Sequence, residues 1–91
     1  MKQGIRITKQ DNVATLLVDL SAGEMLVLED GTGVQAGEAI PYGHKIALND
    51  IPEGNPIRKY DEIIGVASED IVKGQWVHVH NCRSARGGAD R

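Results

Sequence analysis

One short pattern occurs four times in this chain of 91 residues, first as Leu20-Ser21-Ala22-Gly23-Glu24-Met25-Leu26. Each copy has an apolar residue, two variable residues, a glycine, two further residues and a second apolar residue. The other copies are Ile40-Pro41-Tyr42-Gly43-His44-Lys45-Ile46, Ile51-Pro52-Glu53-Gly54-Asn55-Pro56-Ile57 and Ile71-Val72-Lys73-Gly74-Gln75-Trp76-Val77. Glycine adopts a positive φ without steric cost, so the pattern predicts a tight turn used four times, with a strand leaving each turn.

Further strands are predicted between and after these turns. Residues 13–18 are apolar except for one threonine and predict a strand. Gly31-Thr32-Gly33 is typical of a hairpin turn between residues 25–29 and 34–36. After Gly74, side chains alternate with the period of two that a half-buried strand has. One set of that alternation is Trp76, His78 and His80, and the other is Val77 and Val79.

No stretch shows helical periodicity over three turns, and we expect at most single helical turns over residues 47–50 and 68–71. The sequence therefore predicts a small, mostly β domain of short strands joined by glycine turns. We assign residues 1–82 to this domain. Residues 83–91 contain no core side chain larger than alanine and are predicted to be a flexible C-terminal tail.

Composition excludes several classes of function. The formal net charge of −3 argues against a nucleic-acid partner, because binding phosphates requires a basic surface. No apolar run approaches the ~20 residues of a membrane span, and no signal-peptide pattern follows Met1, so we expect a cytoplasmic protein. Cys82 is the single cysteine, which excludes an internal disulfide; it could be a soft metal ligand or an ordinary surface residue.

All three histidines fall in two short segments, at position 44 and at positions 78 and 80. On a strand, His78 and His80 would point to the same face with Cα atoms ~6.6 Å apart. Two imidazoles at that spacing can bind one metal ion or one ligand carboxylate, and imidazole is the commonest metal ligand in proteins. The alternative is a pair of solvent-facing histidines on an edge strand.

Four other predictions concern polar residues near these segments. His44 follows a turn glycine, which predicts a ring at a loop mouth, and Lys45 beside it supplies a cation suited to a carboxylate. The alternative for both is ordinary loop polarity. Lys59, with Arg58 as a weaker candidate, could bind an anion or lie at a solvated strand end. Asn81 could orient a histidine, bind a substrate hydroxyl or cap the strand end.

Several segments together resemble the SAF-type N-terminal domain of altronate and galactarate dehydratases. They occur in the family's order over roughly residues 5–82, and the small subunit of sulfolactate sulfo-lyase is similar too. The segments are Asp11-Asn12-Val13-Ala14, Gly43-His44-Lys45-Ile46-Ala47-Leu48, Lys59-Tyr60, Ile64-Gly65 and His78-Val79-His80-Asn81. The resemblance implies a β-clip fold.

The resemblance also implies an activity, namely elimination of water from a sugar acid of the altronate or galactarate type. On that basis we predict His44 and Lys45 as catalytic residues, Lys59 and Asn81 as substrate-binding residues, and a metal bound by two further histidines. Those histidines are His78 and His80, and the metal is iron(II) or another divalent ion. We expect a large dehydratase subunit to complete the site, the isolated chain to be inactive, and self-association to be possible.

Three other interpretations stay open at this point. The chain could be the small subunit of a sulfolactate sulfo-lyase, because sulfite elimination and dehydration share proton removal next to a carboxylate. It could be a non-catalytic SAF-type module that binds a carbohydrate or a protein, since a fold alone does not establish a function. It could also be a small metal-binding protein, and tight binding of a metal by the isolated chain would reveal this.

Overall fold

The computed structural model describes residues 2–5, 11–29, 31–59, 62–78 and 80–84, and all nine strands in this part of the chain are short. The strands are β1 (Lys2–Ile5), β2 (Val13–Leu16), β3 (Met25–Val27), β4 (Gly33–Gln35), β5 (Lys45–Ala47), β6 (Pro56–Lys59), β7 (Glu62–Ala67), β8 (Trp76–Val77) and β9 (Cys82–Ser84). The predicted mostly β domain is confirmed. No described segment is helical, and hence none could cross a membrane as a helix.

The strands form two sheets. Six strands make the first sheet in the order β4-β3-β1-β2-β5-β8, and β6-β7-β9 make the second. All described pairs are antiparallel except β1 with β3, which are parallel. The predicted hairpin is confirmed: β3 pairs with β4, and Gly31 between them has a φ of 91°.

The four repeated turns are also confirmed, and they share one geometry. Gly23, Gly43, Gly54 and Gly74 have φ values of 88°, 85°, 87° and 92°. In each turn the residue after the glycine donates its N–H to the carbonyl three residues earlier, at 2.9 to 3.2 Å. A positive φ at the third turn position with this hydrogen bond is the type II turn, which strongly favours glycine there.

The turns face each other in two pairs, which explains why an aspartate precedes three of the four copies. Leu20 and Ile40 form a β-bridge between the first two turns, and Ile51 and Ile71 form another between the last two. Aspartate side chains then accept backbone N–H groups of the opposite turn, which ties each pair together. These bonds are Tyr42 N–H to Asp19, Glu53 N–H to Asp70 and Lys73 N–H to Asp50, at 2.8 to 2.9 Å.

Two buried apolar clusters lie on opposite faces of β2, β5 and β8. Alternation along β5 sends Ile46 into the first cluster and Ala47 into the second. The first cluster also contains Leu16, Leu26, Val34 and Ile40, and the second contains Val13, Ile57, Ile71 and Val77. The side chain of Asn12 links the two sheets, since it donates to the carbonyl of Pro56 and accepts the N–H of Arg58.

Three local predictions differ from the structure. The strand predicted through His80 ends at Val77, and Asn81 donates its N–H to the carbonyl of His78, at 3.0 Å, instead of continuing the strand. Residues 47–50 and 68–71 contain bends instead of helical turns. The strand predicted over residues 13–18 ends at Leu16, two residues before the predicted end.

The predicted boundary between domain and tail also moves. β9 continues through Ser84 and pairs with β7, so Arg83 and Ser84, predicted to belong to the tail, are part of the second sheet. The remainder of the predicted tail, residues 85–91, lies outside the described residues, as do Val79 and Tyr60.

Candidate functional site

The three histidines meet at one end of β5 and β8. His44 directly follows the glycine of the second turn, and Trp76 lies two residues after the glycine of the fourth. Antiparallel pairing of Lys45 with Val77 brings His44 opposite His78 in the register of the two strands. Two copies of the same turn therefore bring together histidine segments that are more than thirty residues apart in sequence.

Trp76 contacts all three imidazoles. His78 stacks on the indole with ring centroids 5.4 Å apart and planes 26° apart, while His44 and His80 approach it edge-on at 5.0 and 6.1 Å. We call these four residues the histidine–tryptophan cluster. His44 and His78 are partly buried and His80 is exposed, so the cluster opens to solvent on the His80 side.

Within the cluster, His44 and His78 form the pair best spaced for a shared metal ion. Their ring centroids are 5.2 Å apart with planes at 77°. Two imidazoles that bind one ion at ~2.1 Å have centroids about 5 Å apart. His78 and His80, the pair predicted from the sequence, are 6.3 Å apart. The ring of His44 thus lies nearer to the ring of His78 than the ring of His80 does. This proximity of His44 and His78 results from the register of β5 with β8.

The described residues do not form a complete metal site by themselves. No group of three or more histidine, cysteine, aspartate or glutamate side chains within the described ranges is arranged to hold an ion. Iron(II) and related ions accept imidazole ligands, so His44 and His78 fit a metal chemically but leave most of its coordination positions to other groups. The cluster could therefore supply two ligands to an ion but not a complete set.

Asn81 holds the turn that carries His78. It is completely buried, its Oδ1 accepts the N–H of His78 at 3.0 Å, and its Nδ2 donates to the carbonyl of Trp76 at 2.8 Å. Asparagine commonly bonds to its own local backbone in this way. No atom of its side chain faces solvent, so of the roles predicted for Asn81 this geometry supports positioning a histidine, and not binding a substrate hydroxyl.

Lys45 lies on the opposite face of β5 from His44. It pairs across the sheet with Val77 of the second apolar cluster, whereas His44 contacts Trp76, which packs against the first. The structure therefore does not bring together the side chains of His44 and Lys45, the two residues predicted to be catalytic. Lys59, at the end of β6, is also among the charges that act on Lys45.

Burial is the main cause that lowers the pKa of Lys45, and the nearby charge of Lys59 lowers it further. Burial raises the pKa of the Cys82 thiol, although Lys45 partly opposes this. Cys82 packs against the second apolar cluster, which favours a structural residue over the soft ligand considered from sequence.

The lowered pKa makes a testable prediction about stability. The folded protein binds this proton less tightly than the unfolded chain, so the destabilisation is complete below the lowered pKa and fades as pH rises towards the ordinary lysine value. Lys45→Met should therefore raise the free energy of unfolding at pH 7, and its advantage should shrink towards about pH 10. Urea unfolding at several pH values measures this.

The matched control for that experiment is Lys73→Met, which removes an exposed lysine from the fourth turn. A pH-dependent gain in stability as large as that of Lys45→Met would show that general loss of positive charge causes the effect. A Lys45→Met protein that is less stable than the parent at pH 7 would contradict the prediction outright.

An open depression of about 260 Å³ lies at the third and fourth turns and contains none of the predicted site residues. It is lined by Asp50, Pro52, Asp70, Ile71 and Val72. Both carboxylates already accept backbone N–H groups of the opposite turn. This depression is therefore explained by the way the turns pair.

Sequence reasoning missed the central place of Trp76. The alternation placed it on the same face as the histidines, but it carried no functional prediction. The available signal was its position: it follows a repeated turn glycine by two residues and precedes His78 by two. Its contact with His44 could not be predicted, because that contact depends on the pairing of β5 with β8.

The described residues form a two-sheet β domain with paired glycine turns and a histidine cluster that is open to solvent. A model of the altronate/galactarate dehydratase SAF domain matches residues 2–85. The chain therefore belongs to the altronate/galactarate dehydratase SAF-domain family, as the resemblance predicted.

Its relatives include both large dehydratases and a small lyase subunit. The altronate dehydratase of Bacillus subtilis (strain 168) is 45% identical over 92% of this chain, and that of Escherichia coli (strain K12) is 42% identical over 90%. The chain spans only 17% and 16% of the lengths of those proteins. The (2R)-sulfolactate sulfo-lyase subunit alpha of Chromohalobacter salexigens is 37% identical over 84% of this chain and 87% of that subunit.

Proposed function

We propose that this chain is the small SAF component of a lyase that eliminates water from a sugar acid. It supplies the histidine–tryptophan cluster to an active site that a large partner completes. The observation that carries the proposal is the meeting of all three histidines around Trp76, at an end of the sheet that is open to solvent. The names of the relatives, which are dehydratases and a sulfo-lyase subunit, support the same class of reaction.

The elimination needs a base and an acid from protein groups. A base removes the proton on the carbon next to the carboxylate, the electron pair forms a carbon–carbon double bond, and the neighbouring hydroxyl leaves as water after an acid gives it a proton. Imidazole performs such proton transfers near neutral pH. A divalent ion such as iron(II), when bound, would act as a Lewis acid on the carboxylate and hydroxyl oxygens.

We assign roles within the cluster from spacing and exposure. His44 and His78, with ring centroids 5.2 Å apart, would bind the ion, and the exposed His80 would move a proton at the substrate. This exchanges the roles that the sequence suggested for His44 and His80. Asn81 would keep His78 in place through the backbone of the turn.

Lys45 and Lys59 keep a different part in the proposal. Lys45 lies on the face of β5 away from His44, and Lys59 ends β6, so we assign to both the attraction of an anion or an acidic surface of the large partner, and no contact with the reacting carbons. The remaining metal ligands would come from that partner, since no complete set lies among the described residues.

Co-expression with a large subunit of the altronate/galactarate dehydratase type tests the proposal. We expect a stable complex that converts one acid among altronate, galactarate and sulfolactate, with iron(II) required, and no turnover by this chain alone. Both eliminations give an enol that becomes a 2-oxo acid, so a 2-oxo acid formed without sulfite would establish dehydration, and one formed with release of sulfite would establish the sulfo-lyase alternative. A complex inactive on all three acids would favour a binding module, and turnover by the isolated chain would contradict the shared site.

A further inference from the structure

We infer that Trp76 is a positioning residue that sets the distances among the three imidazoles; this rests on the proposed function of the cluster. Each histidine ring lies 5.0 to 6.1 Å from the indole. The ring centroids of His44 and His78 are 5.2 Å apart, and those of His78 and His80 are 6.3 Å apart. The indole is thus the one described ring in contact with all three.

The backbone of Trp76 is fixed from several directions. Its N–H donates to the carboxylate of Glu38 at 3.1 Å, and its carbonyl accepts the side-chain amide of Asn81 at 2.8 Å. The preceding Gly74 donates to the carbonyl of Ala47 and accepts the N–H of Gly37, both at 2.9 Å. The backbone that carries the indole is therefore held in place, which limits where the ring can lie.

The ring of Trp76 contributes size more than polarity. Its Nε1–H is buried and has no hydrogen-bond partner among the described residues. An unpaired buried donor is unfavourable, so a smaller apolar residue would fill this place at lower cost if packing against the first cluster were its whole role. Aromatic rings of this area stack well on imidazole and also hold edge-on neighbours, which the cluster requires.

Two variants separate positioning from simple packing. Trp76→Phe keeps an aromatic face for His78 and removes the unpaired N–H, whereas Trp76→Leu keeps only apolar volume. Nuclear Overhauser contacts between the rings of His44 and His78 should persist in Trp76→Phe and disappear in Trp76→Leu. Affinity for Ni²⁺, a probe that imidazoles bind, should fall at least about tenfold in Trp76→Leu and change little in Trp76→Phe.

The control is Leu28→Ala, which removes a buried side chain of the same apolar cluster. It should destabilise the domain while leaving the ring contacts and Ni²⁺ affinity unchanged. Parent-like contacts between His44 and His78 in Trp76→Leu would overturn the inference. If the parent chain binds no Ni²⁺, metal binding in the proposed function fails, but the ring contacts still decide whether Trp76 positions the histidines.

Discussion

Replacing His78 by alanine in the complex with the large partner should lower kcat/KM by at least about 100-fold and reduce the bound iron in parallel. His78 lies opposite His44 at the spacing of two ligands to one ion, and it stacks on Trp76. His44→Ala should have the same two effects, because either change leaves one imidazole. Steady-state kinetics and metal analysis of the purified complex measure both.

His80→Ala is the matched control within the same cluster. His80 is exposed and lies farther from its neighbours, so we expect its loss to reduce kcat while leaving the bound iron at the parent level. The three proteins should be compared at equal complex content, since weaker assembly would also lower activity. Equal loss of iron in all three variants would contradict the assignment of His44 and His78 to the metal and His80 to proton transfer. Full activity of His78→Ala would show that the cluster is not part of the active site.

Gly74→Ala should be the most destabilising of the turn-glycine substitutions, with a loss of ~3 kcal/mol in the free energy of unfolding. The φ of Gly74 is 92°, which costs any L-residue, and a Cβ there would overlap the carbonyl oxygen of Gln35. The backbone of β8 begins two residues later, so the variant should also disturb Trp76. Urea unfolding followed by the fluorescence of Trp76, the single tryptophan, measures the change.

Gly54→Ala isolates the conformational part of that cost. Gly54 has nearly the same φ, 87°, in the same type of turn, but nothing lies within 4 Å of the position a Cβ would take. We expect a loss of only ~1–2 kcal/mol. Equal losses at the two positions would show that the contact between the fourth turn and β4 relaxes easily.

Much of the local structure could be predicted because each turn depends on its own residues. A glycine followed by a strand-forming stretch gave the right turn at four positions, and the hairpin around Gly31 followed from the same reasoning. The errors came where a side chain competed with the strand pattern. Alternation predicted a strand through His80, but the Asn81 amide bonds to the backbone of His78 and Trp76 and closes a turn there.

The candidate site could be predicted only in part. Clustering of histidines in two segments and the family resemblance pointed to His44, His78 and His80, and the structure does bring these three together. The contacts of Asn81 are local, because its side-chain amide bonds to the backbone of His78 and Trp76, three and five residues away. Lys45 was predicted as a catalytic residue beside His44, but neighbours on a strand face opposite ways, and here each face has its own apolar cluster.

The sequence by itself determined the four glycine turns, the mostly β character and the family, because glycine conformations and short motifs act within a few residues. The tertiary structure alone decided that His44 lies opposite His78 and that Trp76 lies among the imidazoles. These placements follow from the register between β5 and β8. That register is set by how two apolar clusters are buried at once, which no short segment specifies.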